Sequence, residues 1–292
     1  MAAMEESAAE LLELLNLQDQ GQGVFTGPPA SDRLPRVFGG QLLGQALAAA
    51  SFTAPPEWPC HSLHAYFLRP GKPGRPIDYE VSIMRDGQRF AARKVAAVQR
   101  NELIFELTAS FEGVGSGPEQ QEPMPDAPAP ETYPPEDVRI AQMVESAPQA
   151  AAYLARKRPI EIIGVDPLDF VDRTLLVAPV RRWMRVRGSL MPDPNLQRCA
   201  LAYASDMGAL QPSMRAIGVR PYDEEIQIAS LDHALWFHRP FRFDQWHLFT
   251  FHTNSVAAGR GLCRGTVHAR DGSLVASIAQ EGLMRPREGL IE

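Results

Sequence analysis

The sequence predicts an α+β fold made of two copies of one unit, a helix followed by a four-stranded antiparallel sheet that curls around it. Two observations carry this prediction. The segment HAYFLRP at 64–70 matches ALWFHRP at 234–240, an offset of 170 residues that places aromatic residues on aromatic residues and Arg-Pro on Arg-Pro. In each half, a helix rich in small residues precedes four strand-like segments. The repeated order favours a duplication, whose two sheets are free to pair edge to edge and hide their open strands.

The N-terminal half begins with an acidic, leucine-containing helix over 1–16, which is expected to be a surface helix rather than a targeting peptide. A second helix opens with glycines, and Gly40 and Gly44 lie four residues apart on one face. That spacing is expected to let a sheet pack close against the helix backbone. The glycine-rich start also leaves N–H groups that could serve as oxyanion donors. The four strands are expected at 61–69, 77–84, 89–99 and 102–111.

The middle of the chain changes composition. Seven prolines between 112 and 135 punctuate a polar, acidic stretch, which predicts an extended linker over the surface. A helix interrupted at Pro148 follows. The second half is expected to contain short strands at 160–165 and 181–187, a helix at 195–210, and four strands at 227–239, 247–255, 261–269 and 273–284. The chain is thereby divided into an N-terminal unit (1–112), a linker with a connecting helix (113–158) and a C-terminal unit (159–292).

Composition excludes several classes of function. A net charge of −6 argues against a general nucleic-acid binder. The three cysteines, Cys60, Cys199 and Cys263, are widely separated and form no CxxC pair. They indicate neither a disulfide framework nor a metal site, and they fit a reducing, cytoplasmic compartment. We expect no membrane span, because no apolar run reaches 18 residues. No cofactor is expected, and the dinucleotide fingerprint GxGxxG is missing where the second helix begins.

Differences between the two copies single out candidate catalytic residues. Ser230 falls on Cys60 at an offset of 170, and Gln280 falls on Ala109 at an offset of 171. Asp206 is the only acid in the second-half helix and has apolar neighbours. Hydrolysis needs a base and groups that hold a water, and a carboxylate, a hydroxyl and an amide supply these without a metal. Each also has a structural interpretation, as a helix-end carboxylate, a hydroxyl bonded to backbone and a solvent-facing amide.

The histidines give a weaker indication of catalytic residues than Asp206, Ser230 and Gln280 do. His61 would suit a general base near neutral pH, but its place at the start of a strand in the less polar copy favours a structural histidine. His233 and His238 are expected to pack with the aromatic residues Trp236 and Phe237. A serine nucleophile is excluded, because no G-x-S-x-G motif occurs.

Motifs along almost the whole chain carry a resemblance to a known family. They are VFGGQ at 37–41, HSLHAYFLRPG at 61–71, RDG at 85–87, RKVAAVQ at 93–99, YASD at 203–206, LDHALWFHRPF at 231–241 and QEG at 280–282. In these motifs the chain resembles the type II acyl-CoA thioesterases, the TesB-like family. The resemblance implies a double hotdog fold, two antiparallel sheets each wrapped around a central helix and joined here by the proline-rich linker.

The same resemblance implies hydrolysis of medium- to long-chain fatty acyl-CoA to free fatty acid and CoA. Asp206, Ser230 and Gln280 would bind the attacking water. As our own candidates for supporting residues we add Gly40, Gln41 and His61. Six cations are available for the phosphates of CoA: Arg85, Arg89, Arg93, Lys94, Arg239 and Arg264. The family habit and the exposed sheet faces suggest a homodimer or homotetramer.

Two rival functions remain open. A hotdog unit can hydrate or dehydrate enoyl thioesters, which requires an aspartate and a histidine from the same helix segment. The residues after Asp206 read MGALQP and contain no histidine. The other rival is a sensor that binds acyl-CoA without turnover.

Overall fold

The computed structural model describes residues 2–29, 35–113, 115–156, 158–166 and 178–287, with side chains from residue 8 onward. The N-terminal half contains α1 (Ala2–Leu15), β1 (Gln18–Gly21), β2 (Val24–Gly27), α2 (Gly39–Thr53), β3 (Cys60–Phe67), β4 (Ile77–Asp86), β5 (Phe90–Gln99) and β6 (Glu102–Glu112). The connecting segment contains a short 3₁₀ helix (Pro130–Thr132), α3 (Glu136–Met143) and α4 (Pro148–Leu154). The C-terminal half contains β7 (Ile160–Gly164), β8 (Val180–Val186), α5 (Pro194–Ser205), α6 (Gln211–Ala216), β9 (Ile226–Ser230), β10 (Asp232–Phe237), β11 (His247–Ala257), β12 (Arg260–Ala269) and β13 (Leu274–Pro286).

The strands of the described residues form one antiparallel sheet that is nearly symmetric about its middle. The order is β1-β2-β4-β5-β6-β3-β10-β13-β12-β11-β8-β7, with β9 also paired to β13. The halves join where β3 pairs with β10, in a register that places Ala65 opposite His233. Each half thereby covers the edge that the other would leave open. The predicted α+β double hotdog is confirmed, and its two sheets are joined edge to edge.

The central helices pack directly on each other. A Cβ on Gly40 would lie 2.1 Å from the carbonyl oxygen of Tyr203, and one on Gly44 would lie 3.2 Å from that of Cys199. The prediction that a sheet covers this glycine face is therefore wrong, because α5 covers it. Other faces of α2 contact the strands β2 to β6. The four-residue spacing of the glycines predicts a helix face without side chains. It does not predict whether a strand or another helix packs against that face.

Two predicted elements of the C-terminal half are shorter than expected. The helix expected at 195–210 ends at Ser205, with Asp206 as its C-cap, and Gly208 then adopts a φ of +72°. This left-handed conformation, which glycine adopts without strain, turns the chain toward α6. The strand expected at 227–239 is divided at Leu231 into β9 and β10.

The division at Leu231 is a β-bulge that both copies share. Ser230 pairs with Gly282, whereas Ala234 pairs with Ala279, so one extra residue lies between them on the first strand. In the N-terminal half, Cys60 begins the same irregularity in the pairing of β3 with β6. Bulges bend a strand and re-aim its side chains. The duplicated bulge therefore sets the direction of the residue at position 230.

The linker follows the surface of the C-terminal half, as predicted. Residues 115–129 form no helix or strand, and the Trp183 indole donates a 2.9 Å hydrogen bond to the Pro128 carbonyl. The main hydrophobic core includes Leu43 and Phe105 from the first half and Phe249 from the second. The domain limits 1–112, 113–158 and 159–292 stay a prediction. No helix in the described ranges is long and apolar enough to cross a membrane.

Candidate active site

Three side chains that are distant in sequence meet at the C-terminal end of α5. Asp206 Oδ1 accepts a 3.0 Å hydrogen bond from the Ser230 hydroxyl and a 2.8 Å hydrogen bond from Gln280 Nε2. The same Nε2 donates to Ser230 Oγ at 2.8 Å. Gln280 is 1% exposed, whereas Asp206 and Ser230 are half-buried. A buried amide thus holds two groups that a small molecule can still reach.

The other half of the chain completes the surroundings of the carboxylate. Asp206 Oδ2 accepts a 3.1 Å hydrogen bond from the backbone N–H of Gly40, in the first turn of α2. Helix α2 has no side-chain cap of its own, so Asp206 supplies an acceptor that its N-terminus lacks. Outward-pointing N–H groups make the N-terminus of a helix a common position for an acceptor of this kind. A Cβ on the preceding Gly39 would lie 2.7 Å from Asp206 Oδ2, so this approach requires glycine.

A buried histidine orients the amide. His233 Nδ1 lies 2.7 Å from Gln280 Oε1, and His233 Nε2 lies 2.9 Å from the Ser205 hydroxyl. Because Oε1 can only accept, Nδ1 carries a proton, and the amide nitrogen is directed at Asp206. Burial lowers the pKa of His233, which favours the neutral ring.

The expectation that His233 packs with Trp236 and Phe237 is therefore wrong. Its ring instead forms hydrogen bonds between β13 and α5. His238 is exposed, with its Nε2 2.8 Å from the Ser277 hydroxyl. The sequence predicts no role for His233 at the candidate site. The strand register, in which Ala234 pairs with Ala279, places the preceding residue His233 opposite Gln280.

Comparisons with known proteins find relatives that match nearly the whole chain. Family models for the N-terminal and C-terminal domains of acyl-CoA thioesterases match residues 19–112 and 118–284. Acyl-CoA thioesterase 2 of Haemophilus influenzae is 35% identical over 97% of this chain and 99% of its own length. Acyl-coenzyme A thioesterase 8 of Mus musculus is 35% identical over 93% of this chain and 88% of its own length. The crystal structure of the acyl-CoA thioesterase II TesB2 from Mycobacterium marinum superposes with a TM-score of 0.77 and 35% identity, covering 96% of this chain and 99% of that one.

The chain belongs to the acyl-CoA thioesterase family. Membership confirms the resemblance to type II thioesterases, the fold class and the enzyme class, a hydrolase of acyl-CoA thioesters.

Not every predicted supporting residue lies near the cluster of Asp206, Ser230 and Gln280. His61 Nε2 is 2.8 Å from the Ser110 hydroxyl, and its ring packs edge-on against Phe90. Phe67, at the other end of β3, is the residue that flanks Gly39. Six residues at a rise of about 3.3 Å place His61 roughly 20 Å from that end. These contacts favour the structural interpretation of His61.

Gln41 lies one residue beyond Gly40 but faces the chain that follows β2. Its Nε2 donates to the Pro28 carbonyl at 3.3 Å and to Gln45 Oε1 at 3.1 Å. The Gln41 side chain is buried, and its Oε1 has no hydrogen-bond partner in the described parts of the chain. It anchors the start of the thioesterase's first central helix.

One of the six cations considered for CoA lies in the interior. Arg93 is 1% exposed, pairs with Asp86 at 2.7 Å and donates to the Thr53 carbonyl at 2.7 Å. It caps the last turn of α2 and is therefore not available to a phosphate in this thioesterase.

Proposed function

We propose that the chain hydrolyses acyl-CoA through a water that Asp206 activates and that Ser230 and Gln280 hold in place. The observation that carries this proposal is that Ser230 and Gln280 both donate hydrogen bonds, of 3.0 and 2.8 Å, to the half-buried carboxylate of Asp206, and that they also bond to each other at 2.8 Å. A carboxylate is a suitable general base for such a water. The hydroxyl and the amide can orient the water without taking its proton.

The proposed reaction has two steps. Asp206 accepts a proton from the water as the water oxygen attacks the carbonyl carbon of the thioester, which forms a tetrahedral oxyanion. The carbon–sulfur bond then breaks, and the CoA sulfur leaves as the thiol after taking the proton from Asp206. The products are a free fatty acid and CoA, and the carboxylate is restored.

Gly40 has a different proposed role from the one that its sequence suggested. Its N–H donates to Asp206 Oδ2 and is therefore not free to bind an oxyanion. We assign this N–H to holding the base in place. It fixes Oδ2 of the carboxylate, while Oδ1 faces Ser230 and Gln280. The bond also links the base in the second copy to a helix of the first.

The decisive test is the Asp206→Asn variant. Without a base, kcat for decanoyl-CoA should fall by about 10²- to 10⁴-fold, measured as thiol release with a thiol reagent. Asp78→Asn is the matched control, because Asp78 is an exposed carboxylate on β4. It should hydrolyse like the wild type. Near-normal turnover by Asp206→Asn would reject the assignment.

The same assay separates the rival functions. A sensor would release no thiol from decanoyl-CoA in the wild type. A hydratase would instead change the absorbance of an enoyl-CoA.

Three finer statements belong to the same proposal. We infer medium- to long-chain substrates from the family resemblance. Measuring hydrolysis over a series of acyl chain lengths tests this inference.

Exposed apolar residues support a homodimer or homotetramer. Tyr66, for example, is 62% exposed on the central strand β3. Light scattering tests the oligomeric state. A cytoplasmic location is supported by three buried cysteines that form no disulfide, and fractionation of cells tests it.

A further inference from the structure

Arg198 is a buried cation without an acidic partner in the described ranges. It is 6% exposed, its Nε donates to the Cys60 carbonyl at 2.8 Å, and its Nη1 donates to the Pro194 carbonyl at 3.0 Å. Nη2 forms no hydrogen bond to any described residue. The guanidinium carbon lies 5.5 Å from the Phe237 ring and 5.9 Å from the Phe241 ring. Aromatic faces offset only part of the cost of burying a charge.

This arginine lines a cavity of about 320 Å³, together with Pro192, Pro194, Phe241 and Arg242. The volume reaches the lower end of the range for small-molecule sites, roughly 300 to 1,000 Å³. Arg242 is already paired with Asp244 at 2.6 Å. The cavity therefore combines apolar walls with one unpaired positive charge.

The cavity lies at the counterpart of the catalytic site in the first copy. Cys60, whose carbonyl binds Arg198, corresponds to Ser230, and Phe237 corresponds to Phe67 beside the catalytic carboxylate. The one acid at the adjacent helix start, Asp193, accepts hydrogen bonds from two N–H groups of its own helix instead. The first copy thus lacks the hydroxyl and the amide of the second, with Cys60 and Ala109 at those positions, but it has a cavity that carries a charge.

We propose that this cavity binds a carboxylate with an apolar tail, the chemical class of a free fatty acid. The carboxylate would pair with Arg198 Nη2, and the tail would lie along the prolines and Phe241. A nucleotide phosphate is also an anion that could pair with Arg198, but its nucleoside is polar. The apolar walls of the cavity favour the hydrocarbon tail of a fatty acid instead. The site is separate from the catalytic triad, and its occupancy does not require that the triad act as proposed.

The test measures decanoate binding by calorimetry while the catalytic site is saturated with a non-hydrolysable decanoyl-CoA thioether. The wild type should retain about one decanoate site per chain. Arg198→Gln should weaken that site by about ten-fold or more, because a charge-assisted hydrogen bond is lost. Pro192→Trp should abolish it by filling the cavity, and this exposed residue can be replaced even if the Arg198 variant does not fold.

Each outcome decides the proposal. No decanoate binding by the wild type, or equal binding by the wild type and both variants, would overturn it. Stronger binding of adenosine 3′,5′-bisphosphate than of decanoate at the same residues would assign the site to a phosphate and would overturn the fatty-acid ligand. Thiol release from decanoyl-CoA, measured in parallel, reports on the catalytic proposal independently.

Discussion

At the scale of single residues, the orientation of one amide is central to the site. An amide oxygen directed at Asp206 would repel the carboxylate, whereas the amide nitrogen donates to it. His233 fixes the productive orientation from the far side, since its Nδ1 proton can satisfy only the oxygen of Gln280. The two ring nitrogens of the histidine are hydrogen-bonded to Gln280 and Ser205 rather than to Asp206 or Ser230, so we regard it as a positioning residue.

Replacing His233 by Phe should lower kcat by about 10- to 100-fold while changing KM little. The ring is kept but its donor is lost, and small errors in the position of a catalytic group cost rates of this order. Steady-state kinetics with decanoyl-CoA measure the effect. His238→Phe is the control, because His238 is exposed on the same segment. A folded His233→Phe variant with normal kcat would contradict the positioning role.

At the scale of elements, the crossing of α2 and α5 builds the site from both copies. The crossing is close because Gly40 has no side chain between its helix and the Tyr203 carbonyl. It brings the N-terminus of one helix to the C-terminal end of the other, where Asp206 lies. The N–H of Gly40 at the start of α2, which has no partner within its own helix, then donates to the carboxylate of Asp206 at the end of α5.

The Gly40→Ala substitution should therefore reduce both stability and activity. Its Cβ would overlap a backbone oxygen that cannot rotate away, and overpacking of this kind costs roughly 3 kcal/mol. Urea denaturation and thiol release measure the two effects. Gly117→Ala provides the comparison, since its Cβ would have no neighbour within 4 Å. If both variants unfold at the same urea concentration, the close helix contact is not required.

At the scale of the whole molecule, a buried histidine couples folding to pH. Burial lowers the pKa of His247 from 6.5 to about 4, and its Nε2 has no hydrogen-bond partner among the described residues. Below pH 6.5 the unfolded chain binds a proton that the folded chain excludes. The free energy of unfolding therefore falls as the pH drops from about 6.5 to 4, and it is unaffected by this group above that window.

The loss should reach on the order of 3 kcal/mol at pH 4, since each pKa unit corresponds to about 1.4 kcal/mol. His247→Phe removes the titrating group and keeps a ring between Phe241 and Phe243, which flank it. Denaturation at pH 7 and pH 4.5 should show a smaller decrease for this variant than for the wild type. His252→Gln, at an exposed position of β11, should behave like the wild type. Equal decreases for the wild type and His247→Phe would refute the prediction.

The amino-acid sequence alone predicts the duplication, the approximate limits of most strands, the linker and three residues of the candidate site. The strand limits follow from the local alternation of apolar residues. The site residues follow from comparing positions at a constant offset, such as Ser230 with Cys60 and Gln280 with Ala109. The folded structure was needed to show that α5 covers the glycine face of α2, that α5 ends at Ser205 and that His233 orients Gln280. Those features depend on which backbone and side-chain atoms approach within hydrogen-bond or van der Waals distance after folding, and residue spacing does not encode that distance.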